Sequence, residues 1–241
     1  MVKGLRHAAL ALIPRINQQA VVSNNLANLN TTAFKKDRLF VELLRVPEDS
    51  TAPDDHGFAL SERMVTDFGQ GSLRQTGAPL DLALSGEGFF VVRTASGEAL
   101  TRGASFHLTE QGQIVNSLGE PLLGSGGAIT IPLGTTTLTI GADGTVSADT
   151  KAVDRVRVVS VEDTNRLEKI EAGRYRLDQG LPAPASDFEV RQGFLESSNA
   201  TGIEEMTTMM ALFREYEAAQ RAMKIQGESV GTAVNRVGRT A

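Results

Sequence analysis

Apolar residues recur every three or four positions near both ends of the chain, whereas short alternating runs fill the middle. The N-terminal stripe comprises Leu5, Ala9, Leu12, Ile16, Gln19, Ser23 and Leu26. This spacing predicts an amphipathic helix. The helix is expected to end where residues 28–32 begin, because their Asn and Thr side chains compete for backbone hydrogen bonds. Pro14 lies inside the pattern and predicts a kink or a broken first turn, since proline lacks a backbone donor.

A longer stripe near the C-terminus predicts a helix over about residues 202–237. Its members alternate steps of three and four: Met206, Met209, Phe213, Tyr216, Gln220, Met223, Gly227, Val230, Val234 and Val237. This is a heptad seam, and Thr201 with Glu204 has the spacing of a capping box at its start. A helix about 50 Å long is more than a small core can cover. The seam therefore requires partner helices, from the chain's own N-terminus or from other chains.

The segment between the helices has the pattern of β-strands. Leu80, Leu82 and Leu84 alternate with other residues, and the apolar run of residues 89–92 follows. Glycines expected in tight turns separate the runs, as in Ser96-Gly97, Gln111-Gly112, Leu118-Gly119 and Asp143-Gly144. Regular short strands with such turns predict an antiparallel all-β domain. Residues 47–57 are polar and charged and are expected to form a mobile loop.

Composition excludes several classes of function. The chain has 241 residues with 24 basic and 29 acidic side chains, a net charge of −5, which argues against a general nucleic-acid binder. No apolar run approaches the roughly 18 residues of a membrane span, so no membrane insertion is expected. Cysteine is absent, which excludes disulfides, thiolate nucleophiles and cysteine-ligated metals. The first residues lack a cleavage pattern, so no cleaved signal peptide is expected.

Candidates for catalysis or ligand binding are sparse. The three histidines, His7, His56 and His107, lack metal-ligand spacing. The best metal candidate is residues 54–56 (DDH), although a solvated loop is favoured. Residues 124–127 and 141–144 are expected to be turns rather than phosphate or calcium loops. The basic cluster at residues 35–38 (KKDR) is expected to be a solvated face, with contact to an acidic neighbouring subunit left open. We therefore expect no enzyme, no metal and no cofactor.

Three motifs in this chain resemble those of the bacterial flagellar rod and hook axial proteins. The first is residues 24–35, NNLANLNTTAFK, and the second is residues 69–84, GQGSLRQTGAPLDLAL, with GEGFF at 86–90. The third is LESSN at 195–199, with EM at 205–206 and REYEA at 214–218. The motifs span nearly the whole chain in the family's order, and jointly they are specific.

The resemblance implies an α+β fold in which a central antiparallel all-β domain lies outside a discontinuous coiled-coil layer formed by the N- and C-terminal helices. The expected regions are 1–32 with 199–241 for helical assembly, 33–75 for linking strands, and 76–198 for the β domain. The expected assembly interface comprises Leu5, Leu12, Ile16, Leu26, Met206, Met209, Phe213, Tyr216, Met223, Val230 and Val234. The motif positions carried over are Asn24, Asn25, Asn28, Asn30, Thr31, Phe34, Lys35, Pro79, Leu80, Asp81, Gly88, Phe89, Phe90, Leu195 and Asn199.

The resemblance also implies a function. Such a protein is a structural subunit of the flagellar basal body, in the periplasmic rod, exported by the flagellar type III apparatus without a cleaved signal peptide. Its partners are copies of itself, other rod and hook axial proteins and the export apparatus. The chain's modest length favours a rod protein over the longer hook protein, and a proximal over a distal rod position.

Two alternatives come from other classes. A soluble carbohydrate-binding or hydrolytic β domain with helical oligomerisation arms depends on loop acids such as Asp54 and Asp55. The absence of tryptophan and an aromatic content of 5% disfavour a sugar-stacking platform. A membrane-surface C-terminal helix is disfavoured because its basic residues are few and its glutamates frequent.

Three positions depart from the family pattern. Ala33 stands where the family usually has glycine, and a positive φ there would cost alanine on the order of 1 kcal/mol. The order Gly103-Ala104 moves the usual glycine by one place. Pro14 interrupts a helix that the family normally keeps smooth.

Overall fold

The computed structural model describes residues 2–45, 58–170, 173–178 and 180–237. The architecture is α+β, with two helices and antiparallel sheets. The chain divides into a helical unit, formed by residues 1–27, 37–67 and 201–241, and a β unit, formed by residues 28–36 and 68–200. The predicted loop at residues 47–57 and the metal candidate at 54–56 lie outside the described residues.

The helical unit contains two helices and a two-stranded ribbon. Its elements are α1 (Val2–Ala27), β1 (Asp37–Arg45), β2 (Phe58–Thr66) and α2 (Gly202–Val237). Strands β1 and β2 pair antiparallel from Asp37 opposite Thr66 to Arg45 opposite Phe58. Neither helix is apolar over enough of its described length to cross a membrane. The predicted extent of α2 is confirmed.

Helix α1 ends at Ala27, as predicted from the Asn-rich residues that follow. Thr31 there donates its backbone N–H to the Asn28 carbonyl and its hydroxyl to the Asn28 side chain, both at 3.1 Å. The chain is helical on both sides of Pro14. Of the two expected alternatives, the broken turn is therefore wrong, and the kink stays a prediction. Pro14 is buried in the helical unit.

The β unit consists of short strands and one 3-10 turn, Thr164–Arg166. Its strands are β3 (Leu73–Gln75), β4 (Asp81–Gly86), β5 (Phe89–Thr94), β6 (Gly97–Thr101), β7 (Gly103–Ser105), β8 (His107–Leu108), β9 (Ile114–Val115), β10 (Leu123–Gly124), β11 (Gly127–Ala128), β12 (Leu138–Ile140), β13 (Thr145–Ala148), β14 (Lys151–Arg155), β15 (Val158–Ser160), β16 (Leu167–Ile170), β17 (Arg174–Leu177), β18 (Ala183–Pro184), β19 (Phe188–Gln192) and β20 (Phe194–Glu196).

These strands form antiparallel sheets. The largest has the order β16-β17-β6-β5-β15-β18. Two three-stranded sheets have the orders β19-β4-β7 and β12-β13-β14, and the pairs β20-β3, β8-β9 and β10-β11 complete the described set. The predicted antiparallel β domain is therefore confirmed.

Strand β5 explains where the cores of the β unit lie. Successive residues of a strand point to opposite faces, and Phe89, Phe90, Val91 and Val92 are all buried. Phe90 and Val92 belong to one apolar cluster, together with the β4 residues Leu82 and Leu84. Phe89 and Val91 belong to a second cluster on the opposite face, which includes Tyr175. The continuous apolar run thus covers both faces of a central strand.

The predicted turns are present. Gly97, Gly112, Gly119 and Gly144 all have positive φ, and residues 124–127 form the β10–β11 hairpin. The turn at residues 141–144 joins β12 to β13, where the Thr145 hydroxyl donates to Asp143 at 2.6 Å. This hydrogen bond, with that from the Thr145 backbone, lowers the pKa of the exposed Asp143 carboxyl. At the shifted glycine, a Cβ on Gly103 would lie 2.8 Å from the Leu82 carbonyl oxygen, so the β4–β7 pairing requires glycine there.

Candidate assembly site

The two helices of the helical unit pack antiparallel. Asn25 near the end of α1 hydrogen-bonds Glu205 near the start of α2, at 3.3 Å. Ten residues away on each helix, Arg15 Nε lies 3.0 Å from the Glu215 carboxylate. Chain numbers therefore run in opposite directions along the two helices, and part of the predicted seam is covered within the chain itself.

One face of α2 is buried within the chain. Glu205 and Leu212 are buried, and Met209, Tyr216 and Met223 on the same face are half-buried. On α1 the buried positions are Leu12, Val22 and Asn25. This is the inner face of the helix pair. Of the predicted seam, Met209, Tyr216 and Met223 lie on the inner face, whereas Met206, Phe213 and Gln220 are exposed within the chain. On α1, the predicted stripe residues Ile16 and Ser23 are exposed as well.

A second apolar stripe on α2 faces solvent. Its members are Ile203, Met206, Met210 and Phe213, whose exposed fractions are 85%, 54%, 55% and 48%. We call this set the outer stripe. At about 100° per residue, its centre lies about 120° around α2 from the inner face. Helix α1 has a smaller exposed pair, Ile13 and Ile16, at 53% and 49%.

The residues of the predicted assembly interface divide between these surfaces. Met206 and Phe213 lie in the outer stripe, Ile16 is exposed on α1, Leu26 is half-buried and Leu12 is buried. Met209, Tyr216 and Met223 belong to the inner face. Leu5, Val230 and Val234 lie in the helices, but their side chains are outside the described set. Helical periodicity found the apolar positions, whereas which stripe faces α1 depends on how the two helices pack.

Asn25 fixes the contact between α1, β1 and α2. Its side-chain oxygen accepts the Asp37 backbone N–H at 3.0 Å, and its side-chain nitrogen donates to the Asp37 carbonyl at 2.9 Å. The same nitrogen contacts the Glu205 carboxylate. Asn25 is 2% exposed and Glu205 is 6% exposed. A buried polar group of this kind can fix the register of two helices, because another register leaves it without partners.

The N-terminal and C-terminal motifs meet in the β unit, at what we call the motif junction, residues 28–36, 69–71 and 195–199. Ala33 N–H donates to the Glu196 carbonyl at 2.8 Å, and Lys36 N–H donates to the Asn199 side chain at 2.7 Å. Phe34 is buried, with the Lys169 ammonium 4.0 Å from its ring centre. Asn28 and Thr31 form the turn before it. Asn24, in α1, and Asn30 are exposed, and Leu195 is buried.

Residues of the central motif support the β unit. The Pro79 carbonyl accepts a hydrogen bond from Gln192 at 2.9 Å. The Leu80 and Asp81 carbonyls accept the N–H groups of Phe106 and Gly193. Gly88 has a φ of 127° and its carbonyl accepts a 2.6 Å hydrogen bond from Arg102. Phe89 and Phe90 fill the two apolar clusters.

The basic cluster at residues 35–38 differs from the expectation. Lys35 is fully buried, Lys36 is 7% exposed and Asp37 is 8% exposed, so the predicted solvated face is wrong for these three residues. Lys35 pairs with Glu196, and exposed Arg38 lies 3.1 Å from the Asp67 carboxylate. Sequence reasoning also missed Arg102 and Glu196 as partners. The available indication was Glu196, a single glutamate in the otherwise apolar β20. Its partner Lys35 lies 161 positions away, so the residues near Glu196 do not identify the pair.

Position 33 has a positive φ, the condition under which an alanine there is costly. Ala33 has a φ of 55° and is 1% exposed. We expect Ala33→Val to destabilise the β unit by about 2 kcal/mol, because a β-branched residue is strained at positive φ. Ala33→Gly should stay within about 1 kcal/mol of the native chain, since relief of strain offsets the lost methyl burial.

Chemical denaturation of the β unit checks this difference. The matched control is Ala152→Val, the same change at an exposed position in β14, where valine suits a strand. Equal stability of Ala33→Val and Ala152→Val would contradict the strain at position 33.

An open depression on the β unit is lined by Thr137, Thr139, Ser147, Asp149 and Thr150. Asp149 is the one carboxylate in this lining, and its oxygens accept the backbone N–H groups of Thr136 and Thr137 at 2.8–3.2 Å. This carboxylate therefore holds a loop, whereas glycoside hydrolysis generally uses two facing carboxyl groups. Among the described residues, no group of three or more acidic or histidine side chains could hold a metal.

Comparison with known protein families finds three matches along the chain. Residues 5–35 match the family described as flagella basal body rod protein, and residues 83–148 match the D1 domain of the flagellar hook protein FlgE/F/G. Residues 191–236 match the C-terminal region of the flagellar basal body rod FlgEFG protein. These ranges contain most of the motif junction and the described part of the outer stripe.

Individual proteins are similar over nearly their whole length. The flagellar basal-body rod protein FlgF of Caulobacter vibrioides is 34% identical over 223 residues, covering 91% of each chain. FlgF of Salmonella typhimurium is 34% identical over 234 residues, covering 90% of this chain and 91% of its own. The rod protein FlgG of Bacillus subtilis is 30% identical over 241 residues, covering 89% and 91%.

Proposed function

This chain belongs to the flagellar basal-body rod protein family, and we propose that it is a structural subunit of the bacterial flagellar rod. Its terminal helices supply the contacts between subunits, and its β unit supplies the folded body. Its similarity to rod proteins along most of its length supports this function.

The outer stripe is the observation that carries the proposed mode of assembly. Four large apolar side chains lie on one face of α2, each about half exposed or more. A surface helix of a self-sufficient monomer would normally present polar residues on that face. A contiguous exposed apolar set instead marks an interaction surface. In the rod, helices of neighbouring subunits cover the outer stripe.

The contact proposed here is heterologous. The outer stripe lies on α2, whereas the exposed pair Ile13 and Ile16 lies on α1. When one patch of a subunit meets a different patch of the next and the rotation does not close, a helical filament results. Repetition of this contact would build the coiled-coil layer of the tube, from the proposed assembly regions 1–32 and 199–241.

The remaining proposals follow from family membership. Residues 33–75 would link the helical layer to a β domain of residues 76–198. The chain would pass through the flagellar type III apparatus without a cleaved signal peptide, assemble in the periplasm with itself and other rod and hook proteins, and occupy a proximal rod position. Its role would be structural and not enzymatic.

A charge placed in the outer stripe tests the proposed assembly. Phe213→Asp should reduce incorporation into isolated basal bodies at least about tenfold, because burying an unpaired carboxylate costs more than the 1.4 kcal/mol that a factor of ten requires. The helix content of the monomer, measured by circular dichroism, should stay unchanged, since Phe213 is 48% exposed in the monomer.

The matched control introduces the same charge elsewhere on the same helix. Ala211 is exposed and lies about 120° from both the outer stripe and the inner face. Ala211→Asp should therefore incorporate better than Phe213→Asp. Equal incorporation of Phe213→Asp and the native chain would refute the outer stripe as a subunit contact.

A further inference from the structure

Three charged side chains are buried together at the motif junction. The side chains of Lys35 and Glu196 are fully buried, and Arg102 is 6% exposed. Lys35 Nζ lies 2.5 Å from Glu196 Oε1, and Arg102 Nε lies 3.6 Å from Glu196 Oε2. These contacts lie inside the β unit and differ from the helix contacts proposed for assembly.

Backbone groups complete the surroundings of the three charges. Lys35 donates to the Gly69 carbonyl at 2.8 Å, and Glu196 Oε1 accepts the Gly71 N–H at 2.8 Å. The other Arg102 nitrogens donate to the carbonyls of Gly88 and Gly86 at 2.6 and 2.8 Å. Arg102 therefore has anchors in the β unit other than Glu196, whereas Glu196 is the carboxylate that contacts Lys35.

The pair joins two segments that lie far apart in the sequence. Lys35 belongs to residues 28–36, which follow α1, and Glu196 belongs to residues 194–200, which precede α2. The Glu196 carbonyl accepts the Ala33 N–H, and the Phe34 carbonyl accepts the Asn199 N–H at 3.3 Å. Each segment thus supplies partners that the other needs.

The cost of burying charge makes docking of the Lys35 segment dependent on Glu196. A buried charge is tolerated when it is paired, and removal of one partner leaves the other at a high desolvation cost. Without Glu196 the buried Lys35 ammonium loses the carboxylate that contacts it at 2.5 Å, although its hydrogen bond to the Gly69 carbonyl remains. The N-terminal segment would then release Lys35 to water by leaving its site.

We propose that Lys35 and Glu196 form a charge clasp that makes docking of residues 28–36 onto the β unit conditional on residues 194–200 being in place. Residues 28–36, which follow α1, and residues 194–200, which precede α2, consequently become ordered together. When residues 194–200 are not yet in place, residues 28–36 stay undocked, even where other strands of the β unit have already paired.

Hydrogen–deuterium exchange of the full chain tests the clasp. In Glu196→Met, a peptide covering residues 28–36 should exchange about tenfold faster or more, because the buried Lys35 has lost the carboxylate that contacts it. A peptide covering β5 should keep its protection, which separates local undocking from global unfolding. Glu98→Met, which breaks the exposed Glu98–Arg157 pair, is the control and should leave the 28–36 peptide unchanged.

The double variant Lys35→Met with Glu196→Met distinguishes charge pairing from shape. The double variant removes the buried ammonium together with the carboxylate that contacts it, while Arg102 keeps its hydrogen bonds to the Gly86 and Gly88 carbonyls. Protection of residues 28–36 should therefore return toward the native level. Native-like protection in Glu196→Met, or a double variant that exchanges as fast as Glu196→Met, would overturn the clasp. If Glu196→Met also exposes β5, the isosteric Glu196→Gln decides by the same comparison between the two peptides.

Discussion

A single methyl group at position 71 is expected to destabilise the β unit by about 3 kcal/mol or more. A Cβ built on Gly71 would lie 2.0 Å from the Ser197 carbonyl oxygen, and hydrogen bonds hold the backbone of both residues. The Gly71 N–H donates to Glu196, and the neighbouring Ser197 N–H donates to the Ser72 carbonyl at 2.9 Å. Gly71→Ala must therefore separate β3 from β20, and with it open the motif junction.

Denaturant unfolding of the full chain, followed by far-ultraviolet circular dichroism, measures this effect. The matched control is Gly126→Ala, at an exposed turn where the nearest atom to a new Cβ is 3.6 Å away. That variant should change stability by less than about 1 kcal/mol. Equal denaturant midpoints for Gly71→Ala and Gly126→Ala would contradict this prediction, because they would show that the motif junction accommodates a methyl group at position 71.

Removal of the Asn25 side chain is expected to destabilise the helical unit by about 3 kcal/mol. Asn25→Ala deprives the Asp37 N–H and carbonyl of their side-chain partners and leaves the buried Glu205 carboxylate without the amide donor. Each buried polar group left unsatisfied costs about 1–3 kcal/mol, so the effect greatly exceeds that of a surface hydrogen bond. Helix α1 should detach from α2 while the β unit stays folded.

Asn17→Ala is the control, because Asn17 lies on the same helix and hydrogen-bonds Glu62 at an exposed site at 2.6 Å. Its loss should cost about 0.5 kcal/mol or less. The measurement is thermal loss of helix signal in both variants. A shift of the same size in the two would contradict a buried register contact at Asn25.

Local chemistry allowed much of the fold to be predicted. The Asn-rich residues after Ala27 terminate α1, and the apolar run at residues 89–92 forms a strand buried on both faces. A tight turn depends on the φ angle of its glycine and on the two residues beside it, so its position can be predicted from the local sequence. At Ala33 the glycine usual in the family raised a positive φ only as a condition, and the structure meets that condition.

Contacts between distant residues escaped prediction. The sequence places Lys35 among other charges, where solvation is the ordinary outcome, and nothing near it indicates Glu196 or Arg102. Which face of α2 becomes the inner face depends in the same way on packing against α1. Leu212 and Phe213 are adjacent apolar residues, and packing alone determines that Leu212 is buried and Phe213 is exposed. Burial of charges and choice of helix face are both decided by tertiary contacts.

Solvent accessibility of the outer stripe, compared between the monomer and the assembled rod, tests the central claim most directly. The chain contains no cysteine, so Met210→Cys provides a single thiol at a position that is 55% exposed in the monomer. Thr150→Cys, at the exposed turn between β13 and β14, is the reference. Subunit contact through the outer stripe predicts that maleimide labels both thiols in the monomer but only Cys at position 150 in isolated basal bodies. Equal labelling of position 210 in the monomer and in the rod would contradict it.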